Sequence, residues 1–291
     1  MVSLAEKRHQ HVDDPLTAGR ELVHVPTTEK AMAPDDDPRL GDVDEWGRSE
    51  RMRGLVRRAF DPVYRHYFRA EWEGLEHIPT DGGALLVANH AGAVPSDAPV
   101  IMHGIETELE RPVYGLADNF FRKIPVVGTL WSRAGGLPAH PDNAYRLLNG
   151  QGQLVLVFPE GVKGTSKTIA NRYKLARFGR GGFVEIAMRA VAVMGNEEAN
   201  PILWRLPGAK MLGVPYLPVT PQSLVLGPLG TLVPLPAKFK LRVLPPVTFD
   251  VPPSQHRYSR TRIMDGSQEI QGKIQEALYE MVAERRNWWG G

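Results

Sequence analysis

Residues 84–90 read Ala84-Leu85-Leu86-Val87-Ala88-Asn89-His90. Five small or branched apolar residues make the pattern of a short buried strand, and Asn89-His90 fall where that strand ends. Asp97 follows seven positions after the histidine, beyond Ala91-Gly92-Ala93-Val94-Pro95-Ser96. A second apolar run, Leu154 to Phe158, ends in the same manner, in Pro159-Glu160-Gly161. Open α/β sheets place their ligands beyond the carboxyl ends of parallel strands. A His–Asp pair at one strand end and a Glu-Gly turn at another is therefore the pattern of a catalytic site.

Working outward, strand-like and helical runs alternate over a chain of 291 residues. That alternation predicts an α/β fold with a substantially parallel sheet. The chain has no cysteine. Disulfides, thiolate metal sites and a cysteine nucleophile are excluded together, and a reducing compartment is expected. Met1 to Pro15 carries charges throughout and lacks the apolar core of a signal peptide.

The net charge of +2 hides an asymmetry. Residues 1–50 hold 12 acidic and 6 basic side chains, a net of −6, whereas residues 51–291 hold 21 and 29, a net of +8. The basic body predicts an anionic partner: a phosphate-bearing metabolite or an anionic membrane surface. It has no aromatic-and-basic ladder of a nucleic-acid reader, so no nucleic-acid partner is expected.

Residues 1–47 are expected to be an acidic mobile arm. Residues 48–70 are expected to form basic amphipathic helices. Met52, Leu55, Val56 and Phe60 share a face, with Arg51, Arg53, Arg57 and Arg58 largely elsewhere, and Asp61-Pro62 has the form of a cap opening a second helix. Two compatible readings stay open: helices packed on the core, or a surface lying on anionic lipid. Residues 71–291 are expected to be the main domain. Within them Met211 to Ala237 carries no charge and six prolines. That excludes a simple spanning helix and leaves an apolar loop over the core or a surface touching lipid. Ile263, Ile270, Ile274, Leu278 and Met281 predict a C-terminal packing helix with a basic exit at Arg285-Arg286.

On one continuous helix, two residues seven apart would stand ~10 Å from each other along the axis. For His90 to meet Asp97 the chain must loop back, which Gly92 and Pro95 permit. Ser96 fits a helix cap better than a covalent nucleophile. The run Lys163, Lys167, Arg172, Lys174, Arg177, Arg180, beginning at a strand end with Gly161 and Gly164, suggests an anion site. No histidine or acidic cluster has metal-ligand spacing.

These motifs resemble those of the glycerolipid acyltransferases, the 1-acylglycerol-3-phosphate (lysophospholipid) acyltransferases and their relatives. The resemblance spans about Glu71 to Asp250. It rests on Gly74-Leu75-Glu76-His77-Ile78-Pro79, on the strand ending in His90, on Asp97, on Ile124-Pro125-Val126-Val127-Gly128 and on Phe158-Pro159-Glu160-Gly161. It implies a mixed, largely parallel sheet flanked by helices, at the cytoplasmic face of a membrane as a peripheral protein. It also implies transfer of a fatty acyl group from acyl-CoA or acyl carrier protein to a glycerolipid hydroxyl, with acyl-CoA a co-substrate and no cofactor. His90 would act as general base, supported by Asp97. Glu160 and Gly161 would shape the acceptor pocket, and Lys163, Arg133 and Arg172 would offer charge to phosphate.

Three departures stand out. Six residues separate His90 from Asp97 where the family usually has four. Lys163 stands where arginine is usual, and His140 follows Gly135-Gly136-Leu137-Pro138-Ala139 where an arginine is usual. The altered spacing keeps open a second reading, a non-catalytic lipid or acyl-thioester binding protein on the same fold. One local pattern predicts an anomaly. Phe183 to Ala190 has a helical pattern and Val191 to Met194 a strand pattern, with no residue for the turn that normally joins them. The favoured explanation is a short segment missing between them.

Overall fold

The structure, a computed structural model, describes residues 41–117, 126–178, 188–207, 209, 214–247 and 259–287. The arm up to residue 40, Ile124-Pro125, Arg180, the helical pattern at 183–187 and residues 211–213 lie outside the described residues. Asp42 to Gly291 forms one compact unit. The expected arm boundary at residue 47 therefore moves to Gly41. Residues 42–47 are docked, with Asp44 accepting from the Tyr114 hydroxyl at 2.5 Å and Trp46 donating its indole N–H to Gln151 at 2.6 Å.

Seven strands make the main sheet: β1 (Glu71–Glu73), β2 (Ala84–Ala88), β3 (Val113–Ala117), β4 (Gly136–Pro138), β5 (Leu154–Val157), β6 (Met188–Met194) and β9 (Lys240–Val243). Their order is β1-β9-β6-β2-β5-β3-β4. β6, β2, β5, β3 and β4 run parallel to one another, while β9 meets β6 antiparallel and carries β1 parallel to itself. A small antiparallel hairpin, β7 (Trp204–Leu206) and β8 (Leu217–Val219), stands apart. The mixed, largely parallel sheet is as expected.

β2 is buried at all five positions because both its edges and both its faces are covered. Ala84, Leu86 and Ala88 pack on one face with Ile101 and Ile105 of α2 (Asp97–Glu108) and with Phe68. Leu85 and Val87 pack on the other with Ile270, Ile274, Leu278 and Met281 of α8 (Arg260–Glu284). The period-two pattern thus divides one strand between two apolar layers. The C-terminal packing helix is present, but Arg285 is no solvent exit: it pairs with Glu198 at 2.9 Å and its side chain is 6% exposed.

Two sequence expectations are corrected here. Met188–Ala190 belong to β6, not to a helix. β6 pairs with β2 from Met188 to Val191 and with β9 from Val191 to Met194 in unbroken register. The strand starts three residues earlier than the pattern suggested, and any turn before it lies outside the described residues. The N-terminal region is one continuous helical run, not two helices. α1 (Glu50–Pro62) runs directly into a π-helical turn, Val63–Tyr67. Pro62 has no N–H to give, and the ladder widens beyond it so that Phe68 N–H reaches Val63 O at 2.8 Å. Asp61 pairs with Arg65 at 2.9 Å and with His103 at 3.2 Å instead of capping a new helix.

The face of α1 also differs. Arg53 is buried and pairs with Glu106 of α2, whereas Leu55 is 62% exposed. The contact with Glu106, 53 residues away, turns the helix and takes Arg53 out of the candidate lipid face.

Candidate active site

β2, β5 and β6 are neighbours, and their carboxyl ends deliver His90, Glu160 and Asn196 to one place. Asn89 continues the ladder past the strand end: its side chain donates to Val193 O at 2.9 Å and accepts Val193 N–H at 2.7 Å. His90 is the next residue and turns out of the sheet. The chain then folds back through Gly92, whose φ of +80° puts it in the left-handed region glycine favours.

The loop-back brings the expected pair together. His90 Nδ1 and Asp97 Oδ2 are 2.8 Å apart, with the imidazole 13% and the carboxylate 1% exposed. Asp97 opens α2, where the helix end favours negative charge. Its oxygens also accept the Ala91 N–H at 3.1 Å and the Ala98 N–H at 2.8 Å. Three donors fix the carboxylate, and the carboxylate fixes the ring. Phe158, at the end of β5, stacks on the imidazole at 4.1 Å between centroids and 22° between planes. With Nδ1 engaged, Nε2 is the nitrogen left to exchange a proton.

Glu160 does not line an acceptor pocket as expected. Its carboxylate is buried: Oε1 accepts the His90 backbone N–H at 3.0 Å, and Oε2 accepts the Ala176 N–H at 2.6 Å and lies 3.4 Å from Lys167 Nζ. Lys167 in turn lies 3.1 Å from Glu197. Lys167 is therefore a buried cation between two carboxylates, not part of a free anion-binding face. Burial pushes the Glu197 carboxyl up to about 7, against the opposing pull of Lys167.

The remaining candidates separate. Gly161 carries the turn, and exposed Lys163 sits in the short helix α5 (Val162–Thr165) beside it. Arg172 is half-buried and lines a small cavity with Gly92, Lys167, Glu197 and Asn200, next to the His90–Asp97 loop. Arg133 is not brought to the site. It ends α3 (Val127–Arg133) at the amino end of edge strand β4, where its carbonyl accepts Ser49 N–H at 3.0 Å and its charge acts on Asp42. His140, beyond the carboxyl end of β4, is exposed and caps α4 (Pro141–Tyr145). Ser96 precedes α2, but its hydroxyl makes no cap bond. Among the described residues no group of three or more histidine or acidic side chains could hold a metal ion.

Sequence reasoning missed three positioning residues, Asn196, Asn200 and Tyr216, and the role of Gly164. Asn196 bonds Ala91 O and accepts Ser96 N–H at 3.3 Å, and Asn200 donates to Val94 O at 3.1 Å, so α6 (Asn196–Ala199) and the residue after it hold the His90–Asp97 loop. Tyr216 reaches Ala93 O at 3.3 Å and Thr165 O at 3.2 Å. A Cβ on Gly164 would stand 2.6 Å from His90 O and 2.9 Å from His90 Cβ. The signal for Asn196 was available: Val191 to Met194 is a third apolar run ending in a Gly-Asn turn.

A largely parallel sheet thus carries an aspartate-held histidine at the end of its central strand. The acyltransferase family's profile matches residues 69–221, and the chain belongs to that family. Uncharacterized proteins of Mycobacterium tuberculosis and Mycobacterium bovis are each 37% identical over 265 residues, covering 86% of this chain and 72% of theirs. One of Mycobacterium leprae is also 37% identical, with 70% of its length covered. The fold is similar to that of the 1-acyl-sn-glycerophosphate (LPA) acyltransferase PlsC from Thermotoga maritima. The TM-score is 0.51 and the identity 19%, over 82% of this chain and 84% of that one.

Proposed function

We propose that the protein transfers a fatty acyl group from acyl-CoA or acyl carrier protein to the hydroxyl of a glycerolipid, a lysophosphatidate or related lysolipid, in phospholipid or triacylglycerol synthesis. The observation that carries this reading is the 2.8 Å pairing of His90 Nδ1 with Asp97, which survives the six-residue separation and leaves Nε2 as the base. His90 Nε2 takes the acceptor hydroxyl proton as that oxygen attacks the thioester carbonyl. Asp97 holds the tautomer and stabilises the imidazolium. The carbon–sulfur bond then breaks, and the proton returns from the imidazolium to the departing thiolate. Lys163 and Arg172 supply charge to the acceptor phosphate, while Glu160 positions His90 through its backbone.

In this reading the protein works as a peripheral protein on the cytoplasmic face of a membrane, where its acceptor would lie. Among the described residues no helix is long and apolar enough to cross a membrane. Mass spectrometry of products after incubation with mixed acyl-CoA donors and a panel of lysolipids, glycerol phosphate and diacylglycerol tests the reading. An acylated lysolipid that depends on His90 is expected. Free fatty acid alone would point to a thioester hydrolase, and unchanged donor to a binding protein.

A further inference from the structure

Among the described residues, one surface has apolar chemistry that the core does not require. Leu224, Val225, Leu226, Leu229, Leu232 and Val233 are between 48% and 82% exposed, all within ten residues. Single exposed leucines are ordinary, but six large apolar side chains exposed within ten residues mark an interaction surface. Five belong to α7 (Pro221–Leu226) and the 3₁₀ turn that follows it, Pro228–Leu232, and Val233 comes directly after.

The element beneath is pinned by specific hydrogen bonds. Thr220 and Ser223 form a reciprocal capping box, and Gln222 ties the element together by donating to Ala199 O at 3.0 Å and Val233 O at 3.1 Å. This is a built knob, not a frayed loop.

Its surroundings favour a lipid surface. From Met211 to Ala237 the chain carries no charge. At the knob's far end Tyr67 OH donates to Pro234 O and Arg69 Nη2 to Pro236 O, each at 2.7 Å, stitching it to the end of the α1 helix. Arg57, Arg58 and His66 are exposed on that helix, within about 15 Å of the junction along its axis, while Arg65 is paired with Asp61. An apolar knob beside a basic flank combines the two signals by which peripheral proteins bind anionic bilayers.

The knob is also joined to the site. β8 leads into α7, and Ala199, which accepts from Gln222, immediately precedes Asn200, which holds Val94 and Ala93 of the His90 loop. We propose that the α7 knob inserts into the headgroup–acyl boundary of an anionic bilayer, with Arg57 and Arg58 on the headgroups. This deepens the acyl-transfer reading and rests on it for the identity of the lipid acceptor.

The test uses the full chain and vesicles of phosphatidylcholine with phosphatidylglycerol. Because the chain has no cysteine, Val225→Cys carries a single environment-sensitive fluorophore. Its emission should shift to the blue on adding vesicles. Val225→Asp/Leu229→Asp should weaken vesicle flotation by about tenfold or more, with unchanged circular dichroism. An unshifted probe, or a double variant that floats like wild type, overturns the proposal. So does a wild-type dimer that the double variant splits without loss of flotation, which would make the knob a contact between copies. Turnover of a short-chain donor with a monomeric short-chain lysolipid should be equal in both proteins. If both lack turnover while flotation behaves as stated, the acyl-transfer reading fails and the knob's lipid contact stands.

Discussion

Glu160 and His90 are 70 residues apart in sequence and joined through the backbone, Glu160 Oε1 accepting the His90 N–H at 3.0 Å. The end of β5 thereby fixes where the end of β2 leaves the sheet. The Pro-Glu-Gly turn acts on the imidazole through the main chain while its carboxylate stays out of solvent.

Removing that carboxylate should cost both stability and turnover. Glu160→Ala leaves the His90 and Ala176 N–H groups without acceptors and takes one of two carboxylates from buried Lys167. Breaking such a buried arrangement on one side costs about 3–5 kcal/mol. Urea unfolding should register that loss, and a midpoint within error of wild type would contradict it. Glu160→Gln keeps an acceptor and should lie between the two.

Gly164→Ala tests the approach of α5 to the histidine. The added methyl would meet His90 O at 2.6 Å, so either the turn or the histidine must shift. A loss of about 1–3 kcal/mol in stability is expected from the overpacking. A disproportionate fall in kcat, with KM nearly unchanged, is expected because the base moves. Wild-type kcat in this variant would show that the contact does not set the imidazole.

Glu197 gives the pH prediction. Its carboxyl is raised from 4.5 to about 7, chiefly by burial. Between those values the folded protein binds more protons at this site than the unfolded chain. The site's contribution to stability therefore falls as pH rises through that window. Glu197→Gln should flatten the decline by on the order of 1–3 kcal/mol between about pH 4.5 and 7. Parallel stability–pH curves for the two proteins would rule this out.

Arg53 and Arg58 should behave oppositely though both were candidates for a lipid face. Arg53→Gln takes the nearer of two arginines from buried Glu106, leaving Arg48 at 3.7 Å, and should destabilise by about 3 kcal/mol. Arg58→Gln, at an exposed position, should leave stability within about 0.5 kcal/mol and weaken flotation with anionic vesicles at low salt. Equal stability losses would contradict the assignment of faces.

What the sequence revealed, and what it hid, follows from range. The strand ending in His90 and the turn at Glu160 are local patterns, and β2 and β5 lie where those patterns put them. The return of Asp97 to His90 was inferable from Gly92 and Pro95. Arg53 and Lys167 were misjudged because each is settled by a partner on another element, Glu106 and Glu197, which periodicity does not register. Arg133 was carried by resemblance alone, and it stands at the wrong end of β4 for the chemistry. The early start of β6 was hidden because Met188-Arg189-Ala190 continues a helical pattern locally, while pairing with β2 overrides it.

The central claim is that His90, held by Asp97, removes the acceptor proton. Steady-state release of CoA thiol from acyl-CoA in the presence of a lysolipid acceptor, compared between wild type and His90→Ala, tests it most directly. Turnover should fall by roughly 100-fold or more, with the thermal midpoint within a degree or two of wild type. Equal rates in the two proteins, above the rate without enzyme, would contradict the account.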